Sequence, residues 1–74
     1  MLDHKMATLI EVCKHMNYSR AAEELHLAQS TVSLHIKSLE EYYGARLFEF
    51  EGKKPVLTEA GRLVLEAATI RSRD

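Results

Sequence analysis

The sequence predicts a mainly α-helical domain with a three-helix core, a two-stranded wing and a C-terminal linker helix. Apolar residues recur at helical spacing in four segments. Polarity alternates in one short stretch, residues 46–51, and apolar character resumes at residues 55–57 after a turn. The 74 residues, 46% hydrophobic and 28% charged, allow one small hydrophobic core. The expected order is therefore three helices, a hairpin and a fourth helix.

The first helix is expected from about residue 3 to residue 16, with Asp3 as its N-cap. Its apolar positions are Leu2, Met6, Leu9, Ile10, Cys13 and Met16. The segment Asn17-Tyr18-Ser19 interrupts this periodicity. Because a serine hydroxyl can accept a hydrogen bond from a free helical amide, Ser19 is predicted to cap a short second helix running from Arg20 to about Leu25.

The third helix is expected at about residues 29–43, after a tight turn at His26-Leu27. Its core face is predicted to carry Val32, Ile36, Leu39 and Tyr43. Gly44 follows the last periodic residue. Because glycine takes the left-handed conformation at little steric cost, Gly44 is predicted to end this helix.

A hairpin is predicted from Arg46 to Leu57, with the wing at residues 48–57 and a turn at Gly52-Lys53-Lys54. Pro55 cannot donate to a strand ladder, which suits an edge. Thr58 is predicted to cap the fourth helix, which runs to about residue 71. The chain thus divides into residues 1–57 and the start of a linker or dimerisation helix at residues 58–74.

Cysteine content and hydropathy indicate the cellular compartment of the protein. A single cysteine forms no internal disulfide and suits a reducing cytoplasm. The N-terminus lacks the layout of a signal peptide, and no apolar run approaches the ~18 residues of a membrane span. We therefore expect a cytoplasmic protein without a membrane partner.

The sequence motifs give little support to a catalytic or metal-binding function. The chain has no glycine-rich phosphate loop, so no enzyme activity and no cofactor are predicted. Possible metal ligands are His4, His15, His26, His35 and Cys13. Their spacing matches no metal motif, and Cys13 belongs to an apolar stripe, so no metal site is predicted. The adjacent acidic pairs, including Glu40-Glu41, are interpreted as solvated helix faces.

A short capped helix, a tight turn and a longer helix together form a helix-turn-helix, which lays its second helix in the major groove of DNA. Spacing alone does not separate this motif from a structural helical hairpin. A winged-helix protein-interaction module that does not bind DNA is the alternative, because fold alone does not establish function.

The residues themselves add a family resemblance. The segment from Tyr18 to Glu41 resembles the central signature of LysR-type transcriptional regulators, as do the segments Gly44–Glu49 and Leu57–Gly61. These blocks keep their mutual spacing over nearly the whole chain. The resemblance implies a winged helix-turn-helix domain that binds double-stranded DNA. It also implies a larger domain, absent from this chain, through which a small-molecule effector acts in full-length members.

The same resemblance implies a homodimer formed through the fourth helix. An apolar stripe that could serve this purpose consists of Leu63, Val64, Ala67 and Ile70. The alternative is that the stripe docks on its own domain. We expect both, since Leu65 and Ala68 make the apolar surface broader than one docking face requires.

DNA contacts are expected mainly from the side of the third helix that faces away from the core. The Gln29 amide can pair bidentately with adenine, and the Thr31 methyl can meet a thymine methyl. Lys53 and Lys54 at the hairpin tip can reach a flanking phosphate or the minor groove. The full set of predicted DNA-binding residues is Ser19, Arg20, Gln29, Ser30, Thr31, Ser33, Leu34, Lys37, Lys53, Lys54 and Thr58.

Three departures from the family pattern weaken the expected binding. Ala28 stands where a serine commonly caps the recognition helix, Leu34 where a basic residue is frequent, and Phe50-Glu51 where an arginine often enters the wing. Over residues 28–57, four basic residues are balanced by four acidic ones. Because duplex binding depends on cations, we expect weak binding that relies on a dimer.

Overall fold

The computed structural model describes residues 4–73, with side chains for residues 4–69. Its elements are α1 (His4–His15), α2 (Tyr18–Leu25), α3 (Gln29–Tyr43), β1 (Phe48–Glu51), β2 (Lys54–Leu57) and α4 (Glu59–Arg73). The predicted order of elements and the winged helix-turn-helix fold are confirmed. No helix within the described residues is long and apolar enough to cross a membrane.

The core lies where the three helices meet the start of the wing. Its buried side chains are Leu9, Val12, Ala21, Ala22, Val32, Ile36, Leu39, Leu47 and Phe48. The prediction that Tyr43 belongs to the core is wrong, since its side chain is 42% exposed and stacks edge-on against Tyr42. After Gly44 the chain turns back, and the fully buried Leu47 fills the core beside the end of α3 instead.

The cap of α2 differs from the prediction. The helix begins at Tyr18, and the Asn17 side-chain oxygen accepts a hydrogen bond from the Arg20 backbone N–H at 2.9 Å. Asn17 has the extended backbone of an N-cap residue. Ser19 therefore lies inside the first turn and is not the cap. The predicted cap of α1, Asp3, falls outside the described residues.

The wing is a two-stranded antiparallel hairpin in which Phe48 pairs with Leu57 and Phe50 with Pro55. Gly52 in the turn has a φ of 65°, a conformation that favours glycine. The prediction that Thr58 caps the fourth helix is confirmed, because its Oγ1 accepts a hydrogen bond from the Gly61 N–H at 3.0 Å at the start of α4.

Candidate nucleic-acid interface

The face of α3 opposite the core is open to solvent along its length. Gln29, Ser30, Ser33, Leu34 and Lys37 are exposed, as their spacing from the buried positions predicts. Leu34 is 64% exposed and adds an apolar side chain to this face. Thr31, also predicted to contact DNA, is half-buried.

An open groove of about 810 Å³ lies between the beginnings of α2 and α3 and the wing. We call it the α2–α3–wing groove, and its lining residues are Met16, Asn17, Tyr18, Ser19, Gln29, Ser33, Phe50, Glu51, Lys53, Lys54 and Pro55. The fold therefore brings together five of the predicted DNA-binding residues from three separate elements, namely Ser19, Gln29, Ser33, Lys53 and Lys54.

The remaining predicted residues lie outside this groove. Lys37 lines a second, shallower concavity of about 340 Å³ together with Glu40, Glu41 and Arg46. The other predicted DNA-binding residues outside the lining are Arg20, Ser30, Thr31, Leu34 and Thr58. The hydroxyl of Thr58 is fully engaged, since it also donates to the Arg46 carbonyl oxygen at 2.6 Å.

Aromatic contacts fix the wing against α2. The Tyr18 ring meets Phe48 edge-on with centroids 5.8 Å apart, and it lies tilted against Phe50 at 5.7 Å. Burial, with a smaller contribution from the nearby Glu40 carboxylate, raises the pKa of the Tyr18 phenol to about 12. The phenol is therefore neutral at physiological pH. Sequence reasoning missed this cluster, although alternating Phe48 and Phe50 on one strand was a usable signal.

Glu40 connects the end of α3 to the wing. Its Oε2 accepts hydrogen bonds from the backbone N–H groups of Leu47, at 2.9 Å, and Phe48, at 3.5 Å. The interpretation of Glu40 as a solvated surface residue is therefore wrong, because the turn after α3 presents two backbone donors to its carboxylate. One of the four acidic residues counted over residues 28–57 is thus engaged in hydrogen bonds within the fold.

The beginning of α3 lacks a side-chain cap. Ala28 occupies the N-cap position and makes no side-chain hydrogen bond there, as its apolar methyl dictates. At the next position, the Gln29 Oε1 accepts a hydrogen bond from the Ser19 hydroxyl at 2.9 Å. This bond joins the first turns of α2 and α3 at the edge of the α2–α3–wing groove.

The apolar stripe of α4 is divided between two environments. Val64 is half-buried against the core and Ala68 is 2% exposed, so both pack on their own domain. Leu63 is 54% exposed, and Ala67 is also exposed. The side chain of Ile70 lies outside the described residues. One part of the stripe is thus left open to solvent.

One group among the described residues could hold a metal ion. It consists of Glu11, His15 and Glu24, whose ligand atoms lie within 4.8 Å of one another. Within it, His15 Nε2 and Glu11 Oε1 are 3.3 Å apart, the separation of an ion pair when the imidazole is protonated. Cys13 is instead half-buried against the core, and this burial raises the pKa of its thiol to about 11.

The fold has a three-helix core, a third helix with one face exposed to solvent and a hairpin with two lysines at its tip. These features define a winged helix-turn-helix domain of the kind found in nucleic-acid-binding proteins. Residues 4–62 match the family model described as "Bacterial regulatory helix-turn-helix protein, lysR family". The chain therefore belongs to the lysR family of bacterial regulatory helix-turn-helix proteins.

Individual relatives agree with this assignment. The chain is 57% identical over 53 residues to a RuBisCO operon transcriptional regulator of Allochromatium vinosum, covering 72% of this chain and 18% of the relative. It is 52% identical over 64 residues to the HTH-type transcriptional regulator CysB of Thiocapsa roseopersicina, covering 85% and 46% respectively. The chain thus spans less than half the length of these relatives.

Solved structures share the fold. A LysR-family transcriptional regulator from Eggerthella lenta has a TM-score of 0.86 at 49% identity, covering 93% of this chain and 99% of that one. The DNA-binding domain of CbnR, solved as a complex with DNA, has a TM-score of 0.89 at 29% identity, covering 99% and 84%. These relatives are transcriptional regulators, which agrees with the expectation that the chain is not an enzyme.

Proposed function

We propose that this chain is the N-terminal reading domain of a LysR-type transcriptional regulator and binds specific double-stranded DNA sequences as a homodimer. In this proposal α3 lies in the major groove and the wing contacts a flanking phosphate or the minor groove. The observation that carries it is the α2–α3–wing groove, where Gln29 and Ser33 share a surface with Lys53 and Lys54.

The arrangement of α3 suits base reading. The major groove is about 12 Å wide and admits an α-helix, whose N-terminal residues then meet base edges. Gln29 and Ser33 lie one helical turn apart and are both exposed at this end of α3. Their amide and hydroxyl groups can donate to bases, whereas Leu34 offers an apolar surface to a sugar or a thymine methyl.

The charge distribution supports a positioning role for the wing. Lys53 and Lys54 lie at the hairpin turn and Glu51 is paired with Lys54 across the two strands, so two cations and one carboxylate line this edge of the groove. Glu40 is directed towards backbone amides instead of the groove. A cation pair at the tip is suited to phosphates, which set the position of a protein on DNA without reading its sequence.

The domain arrangement follows from the same proposal. Residues 1–57 read DNA, and residues 58–74 begin a linker helix that pairs with its counterpart in a second copy. A further domain, absent from this chain, binds a small-molecule effector in the full-length regulator, and the protein acts in the cytoplasm without a cofactor of its own. Several curated relatives are about five times as long as the matched segment, which supports this division.

Salt-dependent binding to selected duplexes tests the proposal. Duplexes are first selected from a random pool, and the dissociation constant is then measured at several salt concentrations. Each phosphate-contacting lysine contributes about one unit to the slope of log affinity against log salt. We expect Lys53→Ala and Lys54→Ala each to reduce this slope. Lys14→Ala, an exposed change on α1 outside the groove, should leave it unchanged and serves as the control.

A winged-helix module that binds only proteins is the competing function. It is favoured by the balance of four basic and four acidic residues over residues 28–57. Absence of duplex binding at low salt, where electrostatic attraction is strongest, would contradict the DNA proposal and favour this module.

A further inference from the structure

We propose that Ser19 is a positioning residue that orients the Gln29 side-chain amide, so that Gln29 selects guanine instead of adenine. This inference rests on the proposed DNA binding. It differs from the sequence-based expectations, in which Ser19 itself contacted DNA and Gln29 paired bidentately with adenine.

The position of Ser19 leaves its hydroxyl available for this task. Asn17 caps α2, so the Ser19 side chain is not needed at the helix end. Its hydroxyl donates across the groove edge to Gln29 Oε1 at 2.9 Å, ten residues further along the chain. Both residues line the α2–α3–wing groove, where the proposed DNA surface lies.

The hydrogen bond decides which group of Gln29 is presented to DNA. A glutamine reads adenine by accepting from the N6 amino group with Oε1 while donating to N7 with Nε2. Ser19 occupies one of the two lone pairs of Oε1 and holds this oxygen towards α2, so the end of the amide that points away from Ser19 is the Nε2 group with its two donor hydrogens. Guanine offers two acceptors, N7 and O6, on its major-groove edge, and so complements a group that only donates.

The same bond also orders Gln29 before DNA arrives. An exposed glutamine loses considerable conformational freedom when it is immobilised at an interface. A side chain already held by a neighbouring hydroxyl loses less. Ser19 is thereby expected to favour one geometry of Gln29 over others, which affects sequence preference and not only affinity.

The test compares base preference at one position of the selected duplex. Gln29→Ala first identifies the base pair that Gln29 reads, as the position where the preference relaxes. Four duplexes carrying each base pair there are then bound to the unaltered chain and to Ser19→Ala, Ser19→Thr and the double variant Ser19→Ala/Gln29→Ala. Ser38→Ala removes a hydroxyl from α3 at a position outside the groove and outside the predicted DNA-binding residues, and is the matched control.

We expect the unaltered chain to prefer guanine roughly tenfold over adenine at this position, the size of effect typical of one well-oriented contact. Ser19→Ala should reduce this preference to about twofold or less by the same reasoning, whereas Ser19→Thr keeps a hydroxyl and should retain it. In the Gln29→Ala background, Ser19→Ala should cause no further change in preference. Unchanged thermal unfolding would show that the exposed substitution leaves the fold intact.

Three results would overturn the inference. One is an adenine preference in the unaltered chain. Another is an equal loss of affinity on all four duplexes in Ser19→Ala, which is the behaviour of a phosphate contact. The third is a chain that binds no duplex at all, which removes the proposed function together with the inference and is thereby distinguishable from the first two.

Discussion

The buried side chain of Thr8 connects two helices of this small domain through hydrogen bonds. The Thr8 hydroxyl, 1% exposed, donates to the His4 carbonyl oxygen at 2.9 Å and lies 2.8 Å from His35 Nδ1. Since a hydroxyl has one hydrogen and Thr8 gives it to His4, the Nδ1 of His35 must donate to Thr8. The hydrogen-bond network thus selects one tautomer of His35 and connects α1 to α3.

Cys13 makes stability depend on pH in the alkaline range. Burial raises the pKa of its thiol from 9.0 to about 11 in the folded chain. The folded state therefore holds its proton where the unfolded state has lost it, and stability falls as pH rises from about 9 to about 11. Tyr18, whose pKa is raised from 10.0 to about 12, extends the same trend to higher pH.

Urea unfolding between pH 8 and pH 11 measures this effect against a Cys13→Ala variant. The free energy of unfolding of the unaltered chain should fall more steeply above pH 9 than that of the variant, because only the unaltered chain carries the shifted thiol. Parallel curves for the two proteins would show that Cys13 does not contribute to the pH dependence.

Contact between α4 and the base of the wing depends on a glycine. A Cβ atom added at Gly61 would collide with the Leu47 carbonyl oxygen and with the Leu57 side chain. Backbone atoms at Leu47 cannot yield as a flexible side chain would. The absence of a side chain at Gly61 therefore allows the first turn of α4 to approach the wing closely.

Gly61→Ala should destabilise the domain by about 1–3 kcal/mol, the usual cost of overpacking, even though alanine favours helices by up to about 1 kcal/mol. Thermal and urea unfolding measure the change. Gly44→Ala is a useful comparison, because Gly44 has a φ of 68° and open space around it, so its cost comes from the backbone alone. A stabilised Gly61→Ala variant would mean that α4 does not lie this close to the wing.

Local patterns predicted the elements well. The apolar periodicity and Gly44 gave the bounds of α3, and Thr58 marked the start of α4, because both depend on neighbouring residues. Ser19 was predicted as the cap of α2, but Asn17, two residues earlier, has a side chain that can accept an amide hydrogen bond equally well. The outcome depends on the backbone conformation at Asn17.

Contacts between distant residues account for what the sequence did not predict in the site. The exposed positions of α3 followed from helical spacing alone. The edge-on contact between Tyr18 and Phe48 joins residues thirty positions apart, and the bond from Ser19 to Gln29 joins two helices. Such pairs depend on how elements pack together, which no periodicity within a single element records.

The domain presents two exposed surfaces that differ in chemical character. The α2–α3–wing groove carries polar and basic groups, whereas α4 leaves Leu63 and Ala67 open to solvent beyond its contact with the core. In the proposed homodimer, this exposed part of α4 meets a second copy. One domain alone is expected to bind DNA weakly. In the dimer, binding of the first domain raises the effective concentration of the second domain at its own half-site, which increases the overall affinity.

Leu63→Glu should separate assembly from folding. Leu63 is 54% exposed, so the substitution is expected to change the unfolding temperature little while placing like charges at the dimer contact. Sedimentation should show loss of the dimer, and DNA affinity should fall tenfold or more, as expected when binding at two linked sites is lost. Tyr42→Glu alters another exposed apolar residue, at the end of α3, and should leave the dimer intact. If the Leu63→Glu variant remains a dimer, the dimer contact does not include Leu63.

The hydrogen bonds at Thr58 have a mechanical consequence. Its N–H donates to the Leu47 carbonyl oxygen at 3.0 Å and its hydroxyl donates to the Arg46 carbonyl oxygen, so the root of α4 is joined to the root of the wing. In a dimer formed through α4, each DNA-binding unit would then rotate together with its own α4 as one rigid body. The crossing angle of the two linker helices, and not slack in a hinge, would set the distance between operator half-sites.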